Sequence, residues 1–236
     1  MKKLLYLLII LFIPAVYASD YGVYSPSGYE YSSLPDEMTL FILDFSNSMS
    51  EFLEGNSKAE MMIETVKSLL PKINPNSMVG LRVYGHKVGF TPLDACRASS
   101  LAVPIGKLDT SLINSALDST HPRGMTPITF SLKQAIKYDF VGFTGKKHII
   151  LLTDGGENCD ESPCKFVISL MKLRKDVKID VIAFNISDEE DLDQLQCTSL
   201  VTGGKFYTAN TAAELARSLE NSSNAYKKVE AKIIMK

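Results

Sequence analysis

Short apolar runs alternate along the chain with stretches whose apolar residues recur at three- and four-residue intervals. The runs Met38–Leu43, Met78–Tyr84, Ser99–Val103, His148–Thr153, Ile179–Phe184 and Lys205–Tyr207 read as strands. HIILLTD and IDVIAF are apolar without alternation, as expected for strands covered by helices on both faces of a parallel sheet. Between the runs the period is helical. Ser57 and Glu60 form a capping-box pair at the head of Ala59, Met62, Ile63, Val66, Leu69 and Leu70. A second helix is predicted over Thr110–Asp118. A third should start at Pro127, whose fixed φ suits a first helical position, and bury Ile128, Leu132, Ala135 and Ile136. Ser162-Pro163 opens a fourth and Asp188 a fifth, which Gly203-Gly204 ends. Thr211 with Glu214 caps a sixth, which carries Leu215 and Leu219 inward. Strand–helix alternation with short loops predicts an α/β fold, a doubly wound, mostly parallel central sheet with helices on both faces.

The two ends break this pattern. Lys2 and Lys3 precede an apolar stretch from Leu4 to Ile13, Pro14 breaks it, and Val16-Tyr17-Ala18 suits cleavage, so residues 1–18 read as a signal peptide. The stretch falls short of the ~20 apolar residues that span a bilayer, and no Cys follows it to carry a lipid. Residues 19–36, rich in Tyr, Ser, Gly and Pro, read as a linker, residues 37–220 as the folded domain and 221–236 as a C-terminal extension. Without the leader the chain has 23 basic against 27 acidic side chains, a net charge of −4, and no basic stripe, which argues against nucleic acid as a partner. In an exported chain, Cys96, Cys159, Cys164 and Cys197 are best read as two disulfides. Zinc is the alternative, but no CxxC pair or neighbouring His supports it.

The chemistry gathers at strand ends. Asp44, Ser46 and Ser48 place oxygen-bearing side chains at alternate positions just after the first strand, expected on one side of an extended turn. Thr126 stands in the loop that starts a helix, and Asp154 ends the strand HIILLT. Taken alone, the serines suit a turn and Thr126 a helix cap. Together the five residues supply two anionic and three neutral oxygens, the set a hard divalent cation such as Mg²⁺ takes while keeping some of its waters. In doubly wound folds ligands bind beyond the carboxyl ends of the strands, where Asp44 and Asp154 stand.

DFSNS, GMTPI and TDGG together resemble the metal-ion-dependent adhesion site of von Willebrand factor type A domains, a Rossmann-like fold, over residues 38–220. VGLRVYGHK, ENCDESPC and LQCTSLVTGGKFY are similar to an exported bacterial branch with paired cysteines. The resemblance implies Mg²⁺ or Mn²⁺ as cofactor, held directly by Ser46, Ser48 and Thr126 and largely through water by Asp44 and Asp154. It implies a protein partner that supplies a Glu or Asp to the metal, an exported location (periplasm, secreted or cell surface), no membrane span after cleavage and no enzymatic activity. If strand order follows the family, it also implies Cys96–Cys159 and Cys164–Cys197. Finally, it implies that the last helix moves as the metal shell rearranges.

Two other classes compete. A Mg²⁺-dependent phosphotransferase or hydrolase would use Asp44 as nucleophile, yet Ser46 stands where a general acid or base is needed, and no GxSxG, Walker or GxGxxG motif is present. A structural envelope protein with a vestigial metal site is the other. His86, His121 and His148 are scattered and read as structural, and Asp160 and Glu161 as a solvated acidic loop.

Overall fold

The computed structural model describes residues 36–223. The expected leader, all but Asp36 of the expected linker and the chain beyond Ser223 lie outside the described residues. Strands are β1 (Glu37–Asp44), β2 (Phe52–Leu53), β3 (Asn56–Ser57), β4 (Met78–Tyr84), β5 (Ser99–Lys107), β6 (Lys146–Thr153), β7 (Val177–Phe184) and β8 (Phe206–Ala209). Helices are α1 (Lys58–Leu69), α2 (Pro92–Ala95), α3 (Thr110–Ser119), α4 (Ile128–Gln134), α5 (Pro163–Met171), α6 (Glu189–Val201) and α7 (Ala212–Ser223).

Six strands form one sheet in the order β5-β4-β1-β6-β7-β8, while β2 and β3 form a separate ribbon. Only β5 runs antiparallel to its neighbour; the other four pairings in the large sheet are parallel. The chain winds outward from β1 through β4 to β5, then returns to β6 on the other side of β1. Strand order therefore reverses between β1 and β6, and a crevice opens at their carboxyl ends.

Alternate residues of β1 feed two cores. Phe41 and Leu43 pack with Met62 and Val66 of α1, Ile113 and Leu117 of α3, and Leu215 and Leu219 of α7. Leu40 and Ile42 pack with Ile128 and Leu132 of α4, Val167 of α5 and Leu195 of α6. Each such side chain taken fully from water contributes roughly 1.5–3 kcal/mol. The sheet is thus apolar on both faces, as the unalternating strands predicted.

Capping accounts for the helix starts. Ser57 accepts the Glu60 N–H while Glu60 reaches back to the Ser57 N–H, and Ser162 and Asp188 cap α5 and α6 in the same sense. Gly203, at φ +71°, turns the chain out of α6 by donating to the Leu200 carbonyl, and Gly204 donates to Ser199. Three expectations shift. Pro127 is the N-cap of α4, at ψ 68°, so the first helical residue is Ile128. The same helix widens into a π turn over Ala135–Asp139, which carries Asp139 onto Arg82, 2.7 Å from both Nε and Nη2. Helix α7 continues to Ser223, so Asn221–Ser223 are helical rather than part of an extension.

On the sheet's outer edge, β5 follows β4 through register shifts between Val79 and Arg82, with Pro104 inside the strand. Disulfides join Cys96 to Cys159 (Cα–Cα 5.5 Å) and Cys164 to Cys197 (5.4 Å), the pairing that the resemblance implied. The first ties the loop after β4 to the loop after β6; the second ties α5 to α6.

Candidate metal centre

Asp44 closes β1 wholly buried. One carboxylate oxygen accepts the Ser46 N–H at 2.6 Å, and the other accepts the Thr153 hydroxyl at 2.8 Å. The chain stays extended only to Ser46 and then enters a 3-10 turn over Asn47–Ser50. Ser48 therefore comes round by a helical turn, not along the extended segment that alternation suggested. The result still converges: Ser46 Oγ lies 3.1 Å from Ser48 Oγ, and Ser48 Oγ donates to Asp154 Oδ1 at 2.7 Å.

Thr126 arrives by a different route. Ser46 pairs with Gly124 as an isolated bridge, and the Asn47 N–H donates to the Gly124 carbonyl at 2.9 Å. This lays the loop carrying Thr126 beside the turn, and Thr126 is buried there. Its N–H donates to Asn158 Oδ1 at 2.7 Å, so the segment after β6 holds it from the far side. Gly85 makes the approach possible. It sits at φ +72°, and a Cβ there would lie 2.5 Å from the Ser46 nitrogen. Hydrogen bonds thus link Asp44, Ser46, Ser48 and Asp154, while Thr126 stands on the adjoining loop.

Lys58, the first residue of α1, adds a partner that sequence reasoning missed. Its side chain is 7 % exposed, and its Nζ lies 3.1 Å from Asp154 Oδ2 and 2.7 Å from Glu51 Oε2. Its position gave a signal, because Lys58 precedes Met62 and Val66 on the buried stripe of α1, where a lone cation needs an acidic partner. Asn158 was missed as well, and nothing in the local pattern distinguishes it from any other loop amide.

Burial, and then the nearby charge of Asp154, pushes the Asp44 carboxyl up to about 7, against the lowering effect of Ser46 and Thr153. Burial also raises Asp154, against Ser48 and Lys58. The Tyr84 phenol is held well above its usual range by burial and by Asp44. For Lys58, burial pulls downward, but Glu51 and Asp154 outweigh it and the net shift is upward. Two carboxylates are therefore buried beside one ammonium, an environment short of positive charge. Among the described residues no group of three or more His, Cys, Asp or Glu side chains is placed to hold a metal. The donor set here is different, two carboxylates with neutral hydroxyls, all oxygen, and it fits a hard cation better than a thiophilic one.

The histidines lie elsewhere. His86 Nε2 meets Ser100 Oγ at 3.1 Å, and burial drops its pKa to about 4. His148 is buried with Nε2 3.1 Å from Asp180 Oδ2. Segments adjoining the centre expose large apolar side chains: Phe52 on β2, and Val88, Phe90 and Leu93 around the loop after β4.

Known proteins share this architecture. The model of the von Willebrand factor type A domain matches residues 40–222. The chain is 27 % identical over 197 residues to YwmD of Bacillus subtilis (strain 168), covering 81 % of this chain and 87 % of that protein. Among solved structures, proximal thread matrix protein 1 from the mussel byssus, with a zinc-occupied MIDAS motif, superposes at a TM-score of 0.61 and 19 % identity. That match covers 80 % of this chain and 45 % of the mussel chain, so the chain spans under half of that protein. The vWF domain of the type V pili tip protein Mfa5 from Porphyromonas gingivalis superposes at 0.58 and 16 % identity, over 81 % of this chain and 95 % of that one.

Proposed function

The chain belongs to the von Willebrand factor type A family, and from that premise we propose that it is an exported, non-enzymatic domain that binds a protein partner through a divalent cation. Ser46, Ser48 and Thr126 would hold Mg²⁺ or Mn²⁺, with Asp44 and Asp154 acting largely through water. The cation would supply a Lewis-acidic position for a carboxylate of the partner's Glu or Asp. One observation carries this reading: two buried carboxylates are linked through Ser46 and Ser48 at the sheet's switch point, and only Asp154 is paired with an ammonium, that of Lys58. The exposed apolar side chains Phe52 and Phe90 nearby suit a protein surface better than a small solute. A solved protein that shares this fold, SpaC from Lactobacillus rhamnosus GG, is a pilus adhesin, which fits a binding role too.

Catalysis through Asp44 finds little support in the geometry. Its side chain is wholly buried and is held by the Ser46 N–H and the Thr153 hydroxyl, which suits a positioned ligand-holding carboxylate better than an exposed nucleophile. Among the described residues no helix is long and apolar enough to cross a membrane. Calorimetric titration with Mn²⁺ tests the proposal. One site is expected, with binding largely lost in Asp44→Ala and Thr126→Ala while circular dichroism stays native. Equal affinity in both variants overturns the assignment, and no binding in the wild type leaves the structural-protein reading.

A further inference from the structure

We propose that Lys58 is a specificity-determining residue of the metal centre: its buried ammonium weakens cation binding and leaves the loaded centre positively charged, selective for an anionic ligand. This rests on the metal-dependent reading above. The charge count is local. Asp44 and Asp154 contribute two negative charges, and Lys58 cancels one of them from inside the protein. Two carboxylates alone would bring a divalent cation to formal neutrality and weaken its attraction for a partner's carboxylate. With Lys58 in place the same cation leaves a surplus of one positive charge. Glu51, the other partner of Lys58, has a side chain 65 % exposed and is screened by water, so it offsets little of that surplus.

The fold holds this ammonium in place. Lys58 is the first residue of α1, fixed by the Ser57–Glu60 capping box, and its own N–H donates to the Glu51 carbonyl at 2.9 Å. Its stem is buried and its Nζ reaches Asp154 Oδ2, while Ser48 occupies Oδ1 of the same carboxylate. A solvated surface lysine would have its charge screened. At this depth water screens less, and the charge is felt by both cation and ligand more strongly than a surface charge would be. One charge therefore has two effects of opposite sign.

The experiment follows Mn²⁺ affinity by calorimetry, and acetate binding to the Mn²⁺-loaded protein by water-proton relaxation, in the full mature chain. Lys58→Met keeps the aliphatic stem and should tighten Mn²⁺ by roughly tenfold or more while weakening acetate by a similar factor. Lys58→Arg should keep both values near wild type. Glu51→Gln, at an exposed position, should shift both in the reverse direction by roughly two- to threefold. Unchanged or weaker Mn²⁺ binding in Lys58→Met overturns the inference, because Lys58 would then be only a support for Asp154. Tighter Mn²⁺ with unchanged acetate also overturns it. If Lys58→Met fails to fold, Lys58→Gln, which removes the charge but keeps a group able to donate to Asp154, is measured in its place with the same signs expected. A wild type that binds no Mn²⁺ defeats the metal reading and this inference together, whereas normal wild-type binding with flat variants defeats the inference alone.

Discussion

A carboxyl as deeply buried as Asp44 holds its proton more tightly in the folded chain than in the unfolded one. Its folded pKa of about 7 stands above the ordinary 3.8, so the folded state binds more protons between those values. Stability in a chelating buffer should therefore be highest near pH 4 and fall as the pH rises towards 7, by a few kcal/mol in order of magnitude. Asp44→Asn should flatten that slope, and Mn²⁺ should restore the lost stability in the wild type; urea midpoints across the pH range measure both. Asp180 titrates with the opposite sign. Burial opposes its ionisation, but His148, the Ser222 hydroxyl and the Lys205 N–H outweigh it and hold the carboxyl down at about 2. Its stabilisation is present above about 4 and is lost as the pH falls through 2, so Asp180→Asn should cost about 2 kcal/mol at neutral pH and remove that acid limb. The five candidate residues stood out in the sequence because each is oxygen-bearing and lies at or just beyond a strand's end or ahead of a helix. Lys58 and Asn158 were not. Their roles exist only across the fold, between residues separated by 96 and 32 positions.

Among the elements, α7 is packed by buried apolar side chains and tied at its last turn to the sheet. Leu215 and Leu219 are fully buried, and Ser222 donates to Asp180 Oδ2 at 2.7 Å, which moors the last turn to β7. By the family resemblance, loosening this helix should favour the ligand-competent arrangement of the centre. Leu219→Ala should then lower stability by roughly 2–5 kcal/mol and raise the acetate affinity of the Mn²⁺-loaded protein. Ser222→Ala should do the same more mildly, at roughly 1–3 kcal/mol for one lost hydrogen bond to a carboxylate that His148 still holds. Thermal melts and relaxation titrations on the same samples separate the outcomes: lower stability with unchanged affinity makes α7 a fixed packing element. Most elements were legible from caps and periods, as α1 and α6 illustrate. The β2–β3 ribbon and α2 were not, because two to four residues carry no period. The π turn after α4 was hidden too, since the bond from Asp139 to Arg82 that accompanies it joins residues far apart in the chain.

For the whole molecule, the two disulfides divide their labour. Cys164–Cys197 joins α5 to α6 away from the centre, and replacing both residues with Ser should cost roughly 2–5 kcal/mol without altering Mn²⁺ affinity. Cys96–Cys159 sits next to Asn158, which holds Thr126, so the matching double substitution should weaken Mn²⁺ binding in a chain that still folds. Calorimetry beside denaturant titration checks both. The layered architecture was legible because buried parallel strands announce themselves as unbroken apolar runs. Strand order was not, since apolar runs say which segments are inside but not which lie side by side. The sheet's borders carry one more consequence. At one edge β8 has four residues, and at the other β5 is bent by register shifts and interrupted by Pro104, which has no N–H to offer. Both margins are poor templates for a neighbouring copy, which disfavours fusion of sheets from separate molecules into fibres when the protein is concentrated.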